Sequence, residues 1–370
     1  MITVTDDAIL AFRLARNGLS GPGHATVQDA SRAVLGLQSQ QINASVMGAS
    51  QRTAGRPTQA ALLAQTLEDH TLVRTWGPRD TVHLYDPADA PIVHAARQLW
   101  TQTGRRGVMP TDDELAPIRA WIATQTGPFS RDDVYPLVPD SFRQAMLAQF
   151  GPDHAMRYGT GRVLWVLARR GELVLADKVG AIQRYVARER WFPEPWSPPE
   201  TEDAARQLTE RYLRTYGPAT PKDVAHFFGT TMGPARRWLA ACPTVPVGGL
   251  DGLVCHEADA DALIDAQAPE PAIRMLPPWD GWLMGHHHKH WTANPVDHPK
   301  IWRRSAVVAA VVLRRGRVVA TWTQKLTKRR LTVTVTPLTD WDPAWIPEVE
   351  AEAGSMVRHL DRQDLRLVVL

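Results

Sequence analysis

The chain has 370 residues, 44% of them hydrophobic and 22% charged, a balance that fits a globular protein of two or three domains. Forty-two Lys and Arg against 39 Asp and Glu leave a net charge of only +3, so any surface for a polyanion must come from local clustering. Two cysteines, Cys242 and Cys255, exclude a disulfide scaffold and a four-thiolate zinc site, and no apolar run approaches the roughly 20 residues that span a bilayer. The start, Met1 to Asp7, lacks the basic and then apolar pattern of a signal peptide, so a soluble, cytoplasmic protein is expected. Arginine dominates the basic residues; it suits phosphate contacts, although a GC-rich genome gives the same bias.

A local pattern recurs along the chain. Near the start, Gly21-Pro22 is followed by Thr26 and, three residues on, Asp29. A helix Val27 to Leu37, a helix Gln59 to Gln65 and extended runs Thr71 to Trp76 and Thr81 to Leu84 are predicted from there. Gly127-Pro128 then precedes Ser130 and Asp133, and a helix Arg162 to Arg170 stops at Gly171 before strands Glu172 to Ala176 and Ile182 to Val186. Gly217-Pro218 precedes Thr220 and Asp223, opening helices Pro221 to Phe228 and Ala235 to Ala241 and the extended runs Val245 to Val247 and Leu253 to Cys255. In each copy the hydroxyl three residues before the acid is a capping-box-like helix start, and Gly-Pro breaks what came before. A capped helix, a second helix and a ribbon are the parts of a winged helix-turn-helix. The copies lie roughly a hundred residues apart, too far for a solenoid, and tandem winged helices fit better.

The last hundred residues differ. Ser305 to Leu313 and Val318 to Thr323 read as strands joined by the basic hairpin Arg314-Arg315-Gly316-Arg317, Leu331 to Thr336 alternates with period two, and Glu348 to Asp361 returns to an amphipathic helix. From His298 to Thr339 no acidic residue interrupts ten Lys and Arg, which reads either as a solvated sheet face or as a surface for a polyanion. The expected fold is α+β, with three tandem winged helix-turn-helix modules at 1–115, 116–200 and 201–268 and a C-terminal β-rich element at 269–370. The whole would be C-shaped around duplex DNA. A single chain that already holds three modules is expected to be a monomer.

Several segments resemble the winged-helix DNA glycosylases of the AlkZ and YcaQ type, the HTH-42 group associated with azinomycin resistance. They are Leu35 to Gln40, Arg74 to Leu84 and Leu276 to Gly285, followed by the strand pair ending at Trp322, all in the same order. The resemblance runs across nearly the whole chain. That family carries Gln-x-Gln or Gln-x-Asp as its catalytic signature, and Gln38-Ser39-Gln40 is similar to the first branch. The resemblance implies removal of N7-alkylguanine, including bulky natural-product adducts and interstrand crosslinks, with Gln38 and Gln40 as the active pair. His286-His287-His288-Lys289-His290 departs from what the family leads one to expect at that edge of the site.

Two amides suit that chemistry. Cleavage of an N-glycosidic bond builds positive charge at the anomeric carbon. N7-alkylation makes guanine a cation that leaves without protonation, so what remains is to place a water and to aim amide dipoles at the growing charge. On a helix, residues i and i+2 lie about 200° apart, so the two side chains converge only where a helix ends, and Asn43 is a reasonable stop. Read without the family, Gln38 and Gln40 are an ordinary polar helix end, and Gln41 is the neighbour most easily confused with the pair. Arg79 and His83 are read as DNA contacts sharing a strand face, with an ordinary ion pair as the bland alternative. Lys289 and His286 are read as a polar loop near phosphate, and Arg314, Arg315 and Arg317 as a DNA-facing tip. Trp279 and Trp282 are read as core, and Asp280 as a structural hydrogen-bond partner. No metal or cofactor is expected, and the partner is damaged double-stranded DNA with no membrane. The rivals are a non-catalytic DNA-binding regulator or lesion-shielding protein, and a metal-dependent hydrolase built on the histidine run.

Overall fold

The computed structural model describes residues 1–100, 108–192, 194–268, 271–304 and 306–370, with the side chains of 153–158 left aside. Helix α1 (Asp6–Arg16) opens the chain, capped by Thr5 and acidic in its first turn. Its apolar stripe of Ile9, Leu10, Phe12 and Leu14 packs against Trp282, Trp291, Leu313 and Val318, so the first helix completes the core of the last hundred residues.

From there the chain runs three times through one order: a helix, a short extended step, further helices, and a ribbon. The first pass is α2 (Val27–Ala33), β1 (Leu37–Gln38), α3 (Ile42–Arg52), α4 (Gln59–Leu67), β2 (Val73–Trp76) and β3 (Val82–Tyr85), with α5 (Ala90–Arg97) leading away. The second is α6 (Asp112–Thr124), β4 (Phe129–Ser130), α7 (Arg131–Val134), α8 (Asp140–Phe150), α9 (Pro152–Arg169), β5 (Leu173–Val179) and β6 (Ile182–Ala187), leaving by α10 (Arg188–Trp191). The third is α11 (Thr201–Tyr216), an extended step at Ala219, α12 (Pro221–Phe228), α13 (Met232–Ala240), β7 (Thr244–Pro246) and β8 (Val254–His256), followed by α14 (Ala260–Ile264). Each extended step pairs with the second ribbon strand: Leu37 with Leu84 and Gln38 with His83, Phe129 with Tyr185, and Ala219 with Val254.

The caps explain two of these starts. Ser130 and Thr220 each form a reciprocal capping box, with Asp133 and Asp223 respectively, at the first residues of α7 and α12. The first copy departs from the predicted alignment. Thr26 accepts from the Asp29 amide, but it caps α2, one element too early. The position equivalent to Ser130 and Thr220 lies just before α3, where Gln41 is the N-cap and its side chain makes no capping hydrogen bond.

The predicted helix Val27 to Leu37 is also shorter. It ends at Ala33, and Leu35 (φ 57°) and Gly36 (φ 90°) turn left-handed to release Leu37 and Gln38 into a strand. Only glycine fits at 36, because a Cβ there would meet the Tyr85 ring at 2.3 Å. Around this turn Val27, Leu37, Val46, Leu62 and Leu84 close a small core, each such buried side chain contributing roughly 1.5–3 kcal/mol.

The first two passes share a sheet. Arg74 of β2 pairs with Leu175 of β5, giving the strand order β1-β3-β2-β5-β6-β4 across the expected boundary at residue 115. The third ribbon stands apart as β7 and β8.

The last segment contains β9 (Ile273–Leu276), α15 (Gly281–Met284), α16 (His298–Ile301), β10 (Trp302–Arg303), β11 (Val307–Val308), β12 (Val311–Arg314), β13 (Arg317–Leu326), β14 (Arg330–Pro337), α17 (Ile346–His359) and β15 (Asp364–Val369). Five strands form one sheet in the order β15-β14-β13-β12-β9. Leu331, Val333 and Val335 alternate inward on β14 and pack with Val349, Ala353 and Met356 of α17, as the period-two pattern predicts. The hairpin between β12 and β13 turns through Arg315 (φ 47°) and Gly316 (φ 89°), the two positive angles of a type I′ turn. The predicted strand Ser305 to Leu313 is broken instead. Ser305 lies outside the described residues, Val307–Val308 pairs with Trp302–Arg303, and only Val311–Arg314 joins the main sheet. Among the described residues no helix is long and apolar enough to cross a membrane.

Candidate active site

Gln38 and Gln40 lie where β1 gives way to α3, at a strand exit rather than the predicted helix end. Asn43 is not a helix stop; it falls in the first turn of α3. The helix-end geometry expected for the pair is therefore replaced by a short extended step between β1 and α3. Between the two amides, Ser39 is fully buried and pinned. Its N–H donates to the Val82 carbonyl at 2.6 Å, its hydroxyl bonds Ser45 Oγ at 2.8 Å, and Arg74 donates to its hydroxyl at 3.2 Å and its carbonyl at 3.1 Å. Gln38 is the last residue of β1, and Gln40 lies in the bend that leads to α3. Gln38 is buried at 9% exposure, and Gln40 is exposed.

Arg79 and His83 join Gln38, though not as exposed DNA contacts. Arg79 sits in the turn between β2 and β3 with φ 57°, not on a strand. Its Nη2 donates to Gln38 Oε1 at 3.4 Å and its Nη1 to the Phe227 carbonyl at 2.5 Å, so it ties the first pass to α12 of the third. Burial pulls its guanidinium down to about 10. His83 stands opposite Gln38 in the sheet at 3% exposure, with Nδ1 3.0 Å from the Thr81 carbonyl. Burial first, and then the Arg79 charge, lower its pKa to about 3, so the ring is neutral.

That shift has a measurable sign. The unfolded chain regains an ordinary histidine value near 6.5 and takes up a proton that the fold refuses, so stability falls as pH drops from about 6.5 toward 3. In chemical denaturation, His83→Gln is expected to soften this loss between pH of about 6.5 and 4; a profile as steep as the wild type would contradict the assignment.

Arg74 and Ser39 are buried, hydrogen-bonded supports of this step that the sequence reading passed over. Arg74, lowered to about 10 by burial, also donates to the Ala176 carbonyl at 3.3 Å and so couples the Gln38–Gln40 step to the second ribbon. Its signal lay inside the Arg74 to Leu84 segment. Asp280 has the structural role expected of it. It accepts two hydrogen bonds from Arg52 at 2.8 and 2.6 Å, with both side chains essentially inaccessible, and it caps Trp282.

The histidine run forms the loop expected of it, with His286 buried, His288 and Lys289 half-buried, and His287 and His290 exposed. His286 is buried with Nε2 2.6 Å from the Tyr216 carbonyl, a correction to its reading as a DNA contact. The His287 and His288 amides donate to Asp223. Lys289 Nζ donates to the carbonyls of Leu283 and His286 and lies 5.0 Å from the Trp302 ring; burial, then the nearby Arg79, bring it down to about 7. Among the described residues no three His, Cys, Asp or Glu side chains are grouped to hold a metal ion.

The basic residues also sort differently from expectation. Arg314 pairs with Glu348 at 3.0 Å over the Trp345 ring, and Arg317 pairs with Asp7, leaving Arg315 exposed at that tip. Register places this hairpin at the end of β12 away from Gln41 and Trp279, since Arg314 faces Ile273 and Val311 faces Leu276. The opposite hairpin, between β13 and β14, lies at the other end of the sheet, where Leu326 lines a groove together with Gln41 and Asn43. Lys325, Lys328, Arg329 and Arg330 on this hairpin are exposed, and of these only Arg329 has an acidic neighbour, Asp364 at 3.9 Å. Beside that arm lies a groove lined by Gln41, Asn43, Met47, Trp279, Trp322 and Leu326, among others.

At this junction a buried amide held by Arg79 is followed two residues on by an exposed one. Residues 32–359 match the family model described as DNA glycosylase AlkZ-like, and the chain belongs to that family of DNA glycosylases. It is 27% identical over 379 residues to a Streptomyces sahachiroi protein named interstrand DNA cross-link repair glycosylase, across 97% of this chain and 98% of the relative. In structure it is similar to the Streptomyces sahachiroi DNA glycosylase AlkZ, with a TM-score of 0.78 at 22% identity over 99% of this chain and 100% of that one.

Proposed function

We propose that this DNA glycosylase hydrolyses the N-glycosidic bond of N7-alkylguanine in duplex DNA, including bulky adducts and interstrand crosslinks, and that it works as a monomer. The observation that carries the proposal is the Gln38–Ser39–Gln40 step, where Arg79 holds the buried Gln38 amide and Ser39, locked by Ser45 and Arg74, leads to the exposed Gln40. The relative named for interstrand crosslink repair supports the same lesion class.

In this reading, Arg79 orients the Gln38 carboxamide through one lone pair of Oε1, and the second lone pair accepts from the attacking water. Gln40 supplies the other acceptor from the solvent side. The two dipoles meet the positive charge that grows at the anomeric carbon as the cationic base departs with the bonding electrons. Water adds to that carbon and its proton passes to solvent; no amide has to act as a strong base. Lys289 engages two backbone carbonyls, which supports water rather than an amine as the nucleophile. The β13–β14 arm supplies the phosphate contacts in place of the Arg314–Arg317 tip.

Single-turnover incubation with a duplex carrying N7-methylguanine, in EDTA, tests this. Abasic sites without strand cleavage are expected. Salt-dependent binding with no base release from methyl or bulky adducts would instead favour a non-catalytic DNA-binding protein, and inhibition by the chelator would favour a metal-dependent hydrolase.

A further inference from the structure

The groove beside Gln41 is too large and too apolar for a methylated base alone. It encloses about 470 Å³, within the range of sites for drug-sized ligands. Met47 and Trp322, each 4% exposed, lie beneath it; Pro277, Pro278 and Trp279 form one wall; and Val308 and Leu326 line the other. Arg303 is the one charged residue among those lining it. Val307 (37%) and Leu326 (42%), two of the few large aliphatic side chains left in solvent, both stand at its edge.

Trp279 adds an independent sign. A bulky residue in the left-handed region is a backbone outlier that persists only where its surroundings hold it, and Trp279 has φ 57°. Its indole Nε1 donates to the Ala306 carbonyl at 2.8 Å, while the next residue, Asp280, is clamped by Arg52. The ring is thus held at the groove by its own hydrogen bond and by the clamp on Asp280, while it also packs against the core of the last segment.

Resting on the glycosylase reading above, the geometry points to this groove as a slot for the planar, apolar body of a DNA adduct, one that sets the preference for bulky over small lesions. Its mouth at Gln41 is one residue from Gln40, so a group attached to the departing base can reach it. The charges beside it, Arg303 and the Lys325 to Arg330 arm, match a phosphate backbone running past an uncharged interior. A peptide or a free anion would leave one of these two features without a use. Trp279, Leu326 and Val307 act on specificity and take no part in the bond cleavage.

The test compares single-turnover release of N7-methylguanine and of guanine bearing an anthracenylmethyl group at N7, both cationic leaving groups, in the same duplex. The wild type is expected to release the bulky adduct faster. Trp279→Ala and, at the exposed rim, the uncharged change Leu326→Ser are expected to lower the bulky-to-methyl ratio about tenfold with the methyl rate within about twofold, and Trp279→Phe to restore most of it. Because Leu326 is on the surface, its variant reports on the slot even if Trp279→Ala folds poorly. An unchanged ratio, or equal losses on both substrates, overturns the slot while leaving the glycosylase reading intact. A wild type inactive on both adducts overturns both readings.

Discussion

Gln38→Ala and Gln40→Ala are each expected to slow release of N7-methylguanine from duplex DNA by about a hundred- to a thousandfold, the usual consequence of removing one preorganised polar group from a transition state. Gln40 is exposed, so its loss tests chemistry with little effect on folding. Gln38→Ala also strips Arg79 of an acceptor, and its melting temperature should be recorded beside its rate. The two losses should not add, because the amides hold one water between them. Gln41→Ala is the internal control: as an N-cap without a side-chain hydrogen bond it is expected to stay near the wild-type rate. Large losses at Gln41 with Gln40 indifferent would move the pair by one residue.

Asp280→Ala is the largest expected effect on stability. Arg52 and Asp280 are 1% and 2% exposed and joined by two hydrogen bonds, so deleting the carboxylate strands a guanidinium away from water. Breaking such a pair costs about 3–5 kcal/mol, whereas replacing both members by apolar residues of similar volume is close to neutral. Asp280→Ala should therefore lower the melting temperature by several degrees, and Arg52→Met combined with Asp280→Leu should recover most of the loss. Equal destabilisation by the single and double variants would mean that the pair's geometry, not its uncompensated charge, holds α3 to the C-terminal sheet.

What could be read in advance divides along a physical line. The starts at Ser130 and Thr220 were legible because a capping box is made within four residues. The alternation of Leu331, Val333 and Val335 was legible for the same reason, since its cause is local. The route from Ala33 to Gln38 was not. Whether α2 continues depends on Gly36 meeting Tyr85, a contact made only after the ribbon has folded back. The charge run from Lys300 to Arg330 was visible, yet nothing nearby in sequence says that Glu348 and Asp7 take up Arg314 and Arg317 while Lys325 and Lys328 go free. The candidate pair itself was found through its resemblance to a family. Its support by Arg74, Arg79 and Ser39 belongs to tertiary structure alone.

The bare start of α3 carries a further consequence. In the other two passes a hydroxyl and an acid occupy this junction and close the helix, a feature worth about 1 kcal/mol of stability. Here the same junction holds amides instead, and Gln41 leaves the helix open. A laboratory evolution campaign that rewarded heat resistance alone would find Ser, Thr or Asp at this step early and keep it. The lineage would drift toward its own repeats, gaining firmness and losing what distinguishes the first copy. On the proposed reading, selection for activity rather than for stability keeps the first copy different from the other two.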